Sequence, residues 1–428
     1  MYKRLIALLL SFLCLFSMGC LKTTEAITNE NKKFTNEQWT EDIDYLVKEL
    51  SEKHPNPFYK INEREWIKEV KRLKKDVPKL TDEDIYMRLY QLTALLKDAH
   101  THVYWDQLES KIDDMKIYPI SLYWFGNELR VFSTFKGNED ILGKKLIAVN
   151  GIPLNKVLEK VNTLVSYENN QWAKATNFFV VTYYPVLKFL DITDEEQCEF
   201  TFEDDNGKNT TKNLNVVLYK DLYDKESRIT LLSEEVRQKL IKNQKPEGQE
   251  DAYWFKFVEK DKIFYLQYNQ CLDSNFDTFL ESLIKEINSN EGNMDKFVVD
   301  LRKNTGGDSR FMSRIITALN RDTKIKDKKV FALIGKETFS SGCMAATDLK
   351  FQLNAKLVGE ETGGNAKCYG NLGWFNLPNT DIEVDYSTQY YDLGVESDGG
   401  VLPDIEVIDK FHNYLKGVDE CYEAIKDK

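Results

Sequence analysis

The chain has 428 residues, with 58 Lys and Arg against 70 Asp and Glu, and so a formal net charge of −12. That acidic balance, with a pI near 5.1, argues against a protein that tracks nucleic-acid phosphates. Apolar residues at 42% and a mean hydropathy of −0.49 exclude a polytopic membrane protein, and the length suits two or three domains.

In chain order, Met1-Tyr-Lys-Arg4 and the apolar run Leu5 to Phe16 read as a secretory signal. The run is too short to span a bilayer, which takes about 20 apolar residues. Ser17-Met18-Gly19-Cys20 follows and resembles the bacterial lipoprotein box. The resemblance implies a signal peptide over residues 1–20 and lipidation of Cys20. It also implies export across the cytoplasmic membrane and attachment to its outer face through the lipid alone. Residues 21–34 are polar and without period, as a tether is.

Residues 35–110 read as helical. Thr81-Asp82-Glu83-Asp84 is a helix start, followed by Ile85, Leu89, Leu92 and Leu96 on one face. Residues 111–220 are richer in strand formers, as in Ile120 to Trp124, Leu129 to Phe132 and Cys198 to Phe202. Within them, Leu142 to Ile152 is a strand closed by an Asn150-Gly151 turn. Residues 221–250 are charged and poorly periodic and read as a linker or an excursion. From residue 251 to 428, strands alternate with helices: Ile263 to Tyr268, Phe276 to Ile287, Phe297 to Leu301, Val330 to Ile334, then Ser341 to Leu353. This is the pattern of an α/β core with a parallel-type sheet, whose ligand sites lie beyond the strand ends.

Two strand ends carry unusual residues. Lys303-Asn-Thr-Gly-Gly307 follows one strand, and Thr338-Phe-Ser-Ser341 lies between another strand and a helix. A serine there either caps the helix or attacks a carbonyl whose oxyanion falls on the free N–H groups of the helix start. The G-x-S-x-G elbow of α/β-hydrolases is absent, as are phosphate-loop signatures and metal-ligand spacings of Cys and His. No cofactor or metal is indicated. Cys198, Cys271, Cys343, Cys368 and Cys421 are too scattered for a disulfide scaffold, although one bridge stays open.

Asp300-Leu-Arg-Lys-Asn-Thr-Gly-Gly307, Thr338-Phe-Ser340, Gly359-Glu-Glu-Thr362 and Gly400-Val-Leu-Pro-Asp404 come in the order seen in the C-terminal processing (tail-specific) serine peptidases, which the chain resembles. That resemblance implies a crotonase/ClpP-like core, no cofactor, and hydrolysis of peptide bonds in peptides or partly unfolded proteins. It makes Ser340 the nucleophile and places oxyanion donors on the Ser341 N–H and on Gly306 or Gly307. Where the Ser–Lys members carry their lysine base this chain has Asn365, with Lys367 two residues out of register. The tricorn-like branch instead takes a histidine from an Asp-x-His motif, which Asp98-Ala-His100 matches, so the resemblance makes His100 the base. His102 is the register alternative. The orienting carboxylate of that branch maps onto Glu396, with Asp398 beside it. His54 and His412 match no catalytic element. Leu142 to Ile152 resembles the end of a PDZ-like module. A noncatalytic peptide- or ligand-binding protein on the same fold is the alternative reading, and an acyl-CoA enzyme of the crotonase type ranks last. The oligomeric state is not legible.

Overall fold

The computed structural model describes residues 34–104, 114–224, 227–273, 275–426 and 428, so Cys20 and the leader lie outside the described residues. The chain divides into two compact units.

The first unit runs to Met115 and takes in Glu159–Tyr167 and Tyr369–Tyr390. Three helices, Asn36–Lys53, Glu63–Asp76 and Asp82–Ala94, build it. Thr35 with Gln38, and Thr81 with Asp84, close reciprocal capping boxes at two helix starts. Trp39, Ile43, Leu46 and Leu50 recur at helical spacing and are buried, as are Ile85, Leu89 and Leu92 on the third helix. The Trp66 indole N–H donates to the Leu92 carbonyl at 2.8 Å, satisfying the one polar atom of that large side chain. Buried Asp42 accepts from the backbone N–H and hydroxyl of Thr380 at 3.0 and 2.6 Å, and so holds the turn of a hairpin from far along the chain. His102–Val103 adds antiparallel to that hairpin, pairing with Asp385 and Val384.

The second unit holds Lys116–Leu158, Glu168–Cys368 and Tyr391–Lys428. Its six-stranded sheet runs in the order Tyr253–Val258, Ile263–Tyr268, Lys296–Asp300, Lys329–Ile334, Lys356–Gly359, Ile405–Glu406. The first pair is antiparallel and all others are parallel, which makes this an α/β core with one antiparallel edge. Strands such as Phe297-Val-Val are apolar throughout because both sheet faces are covered. Leu283, Ile287, Ile315, Leu319 and Leu349 pack on one face, and Ile241, Cys421, Tyr422 and Ile425 on the other.

The same unit carries a seven-stranded sheet around Ile120–Phe125, Glu128–Phe135, Lys145–Val149, Gln197–Glu203 and Asn209–Asn215. Asn150 and Gly151 both have positive φ, and Val149 pairs with Ile152 across them, the two-residue hairpin expected of Asn-Gly. The expected linker 221–250 needs correction. Arg228–Thr230 pairs with Ser133–Phe135 as an edge strand, and Leu232, Leu240 and Ile241 are buried. These anchors are short apolar pairs, Leu231-Leu232 and Leu240-Ile241, among polar and charged residues, so no period betrays them.

Candidate active site

Ser340 sits at the turn between the strand Lys329–Ile334 and the helix Ser341–Leu353, with φ +50° and ψ −125°. An L-residue adopts that backbone only at a cost of about 1–3 kcal/mol. Its side chain makes no capping hydrogen bond, so the bland role for a serine at a helix start does not apply. The turn is pinned residue by residue. The Thr338 hydroxyl donates to the Leu301 carbonyl at 2.9 Å and accepts from the Gly335 N–H at 3.0 Å. The Phe339 N–H donates to the Asn304 carbonyl at 2.9 Å, and its ring stacks on Trp172 with centroids 4.0 Å apart.

The glycine loop is locked against this turn. The Ser341 hydroxyl donates to the Gly307 carbonyl at 2.6 Å. Asn304 bridges to the neighbouring strand by donating to the Tyr268 carbonyl at 2.8 Å. A Cβ on Gly306 would lie 2.8 Å from the Ser340 Cβ, and its φ is +116°, so only glycine fits there. Ser340, Ser341, Gly306 and Gly307 are thus brought together. The Gly306 N–H donates to Asn304 Oδ1 at 2.9 Å, which removes it as a candidate oxyanion donor. The N–H groups of Gly307 and Ser341 donate to no acceptor among the described residues. Those of Ser341 and its neighbours also lie at the positive end of the helix dipole.

The lysine-equivalent position is occupied otherwise. Asn365 is buried, its Oδ1 accepts from Asn169 Nδ2 at 3.0 Å, and its N–H donates to Glu168 Oε2 at 2.9 Å. Lys367 is partly exposed and lies 4.0 Å from Asp392. Glu396 and Asp398 are both exposed on the loop before Gly400.

In the first unit, His100 is 2% exposed in the turn after the helix Asp82–Ala94. Asp98 Oδ1 accepts its backbone N–H at 3.0 Å and lies 4.0 Å from its Nδ1. Asp98 Oδ2 accepts from the Thr101 hydroxyl at 2.6 Å and the Ser387 hydroxyl at 2.7 Å, and lies 2.9 Å from His54 Nε2. The Asn56 N–H donates to His54 Nδ1, so neutral His54 carries its proton on Nε2 and gives it to Asp98. Burial pushes the Asp98 carboxyl up, but the His54 hydrogen bond, the His100 charge and the two hydroxyls outweigh it and hold it below the usual range. His102 lies 3.8 Å from Asp385, and burial first, then the charge of His100, bring it down to about 4. His412 is exposed.

Sequence reasoning missed His54, Trp172 and Asn169, none of which sits in a recognisable motif. Cys198, Cys271, Cys343 and Cys421 are free thiols.

Residues 262–407 match the model of peptidase family S41. No curated protein sequence matches the chain. Among solved structures, it is similar to mature CPAF complexed with lactacystin, over 92% of this chain and 97% of that one, at 12% identity and a TM-score of 0.63. Mature CPAF alone aligns over 92% and 96%, at 12% identity and a TM-score of 0.59. These two likenesses carry the fold. The family match takes in the glycine loop and the Ser340 turn together, so that residues 262–407 carry the core of a serine peptidase of family S41.

Proposed function

We propose that the chain is an endopeptidase in which Ser340 attacks the scissile carbonyl, His100 takes the serine proton and passes it to the leaving amine, and Glu396 orients the imidazole. The Ser341 and Gly307 N–H groups receive the oxyanion, and Asp98 holds a negative charge beside His100 through the cycle. The observation that carries the reading is the uncapped, positive-φ Ser340 packed against the glycine loop. Strain of this kind is kept where it orients a reacting group. Substrates are peptides or partly unfolded protein segments, and the enzyme acts outside the cytoplasmic membrane, anchored through Cys20.

A serine-directed fluorophosphonate should label the wild type and not Ser340→Ala, and peptide hydrolysis should fall by at least about 1000-fold in Ser340→Ala and His100→Ala. Full activity in His100→Ala removes the histidine from the mechanism. A Glu396→Gln variant as active as the wild type removes Glu396. The noncatalytic alternative requires ligand binding with no labelling of Ser340. Cys20→Ala should move the protein from the membrane fraction to the medium with activity intact, and continued sedimentation with membranes overturns the anchor.

A further inference from the structure

The glycine loop springs from Asp300-Leu301-Arg302, and the Arg302 guanidinium is gripped from two sides. Its Nε and Nη2 donate to Asp300 at 3.0 and 2.6 Å. Its Nη1 and Nη2 donate in a fork to the two oxygens of Asp419, at 2.7 and 2.8 Å. Both carboxylates are almost wholly buried. Asp300 also accepts from the Tyr265 hydroxyl at 2.5 Å, and Asp419 from the Tyr422 N–H at 3.2 Å. The positive charge of Lys242 acts on Asp419 as well, so two buried anions are answered by two cations. Asp419 lies beyond the segment matched by the family model and is 117 residues from Arg302.

Arg302 stands directly between two parts of the site. Leu301, before it, donates to the Leu333 carbonyl at 2.8 Å and takes the Thr338 hydroxyl on its own carbonyl. Asn304, two residues after it, carries the Phe339 and Gly306 bonds. A forked guanidinium–carboxylate pair fixes orientation as well as distance. We propose that Asp419 is a positioning residue: through Arg302 it sets the placement of the Gly307 N–H relative to Ser340, so a side chain outside the matched core governs transition-state stabilisation. The proposal rests on the nucleophile and oxyanion assignments above.

The distinguishing measurement compares wild type, Asp419→Asn, Asp419→Glu and Arg302→Lys on one peptide substrate. Inhibition is measured by that peptide as an aldehyde, which forms a hemiacetal on the serine, and by the corresponding alcohol, which does not. Rates are normalised to sites titrated with fluorophosphonate, so unfolded protein does not count. Asp419→Asn should lower kcat roughly 10- to 100-fold with KM within about twofold. The aldehyde affinity should fall in step with kcat/KM while the alcohol affinity stays, because only the former uses the oxyanion donors. Arg302→Lys, which keeps charge but loses the fork, should behave like Asp419→Asn, and Asp419→Glu should recover part of the loss. Unchanged kcat and aldehyde affinity per titrated site in both Asp419→Asn and Arg302→Lys would overturn the proposal and leave a purely structural pair. Equal aldehyde binding by wild type and Ser340→Ala would instead sink the nucleophile assignment beneath it.

Discussion

Each unit buries a carboxylate cluster next to residues assigned to the chemistry, but the two are satisfied differently. Asp98 is met by hydroxyls, a backbone N–H and a neutral imidazole N–H. Asp300 and Asp419 are met mainly by one guanidinium shared between them. The first arrangement is a set of directional donors around one anion. The second is charge-balanced. Removing charge therefore strands several donors at Asp98, whereas at Asp419 it leaves an arginine that still has Asp300. The hydrogen-bonded cluster should be the more fragile of the two.

Asp98→Asn puts the sharpest strain on that contrast. With its oxygen kept toward His54, Thr101 and Ser387, the amide turns its NH2 against the buried His100 N–H that Oδ1 accepts, and the three donors face a weaker acceptor. A loss of about 3 kcal/mol is expected in urea unfolding at neutral pH. A loss below that of Asp419→Asn would reverse the ranking of the two clusters.

Acid should separate the units as well. His102 titrates near 6.5 when unfolded and about 4 when folded, so between these values the unfolded chain binds the extra proton. Stability is complete above pH 6.5 and falls as pH drops toward 4, by up to about 3 kcal/mol from this residue. His102→Asn should flatten that limb. Equal pH dependence of wild type and variant would remove His102 as its source.

Asp419 gives the smaller effect and the lower window. Burial raises its carboxyl, but the charge and hydrogen bonds of Arg302 and the charge of Lys242 bring it down to about 2, from 3.8. A depressed carboxylate contributes stability above its unfolded pKa and loses it as pH falls through the folded one. Wild type should exceed Asp419→Asn by about 2 kcal/mol at pH 7. The gap should hold to about pH 4 and close below it. A gap that closes already between pH 7 and 5 would assign it to another group.

The elements were legible where chemistry is local. The capping residues Thr81 to Asp84, the Asn150-Gly151 hairpin and the apolar strands all follow from short-range pattern, and so do the Ser340 and Gly306-Gly307 segments. The partners of Asp98 and Arg302 were not. Ser387 lies 289 residues from Asp98, and nothing in its surroundings marks it as buried. Which of the two loop glycines keeps its N–H available depends on the direction of the Asn304 side chain, which no spacing encodes. The twist at Ser340 was hidden for a similar reason. The first of the usual flanking glycines is replaced by Thr338, and Thr338, Phe339 and Trp172 hold the turn by tertiary contact instead.

The backbone at Ser340 also says something about how the sequence can drift. Glycine at that position would relax the turn, so Ser340→Gly is a change that folding rewards and peptide cleavage forbids. A lineage that kept this fold only to hold ligands would have a downhill step open to it at that codon. A serine held at φ +50° is therefore the residue a working hydrolase has to keep against its own stability.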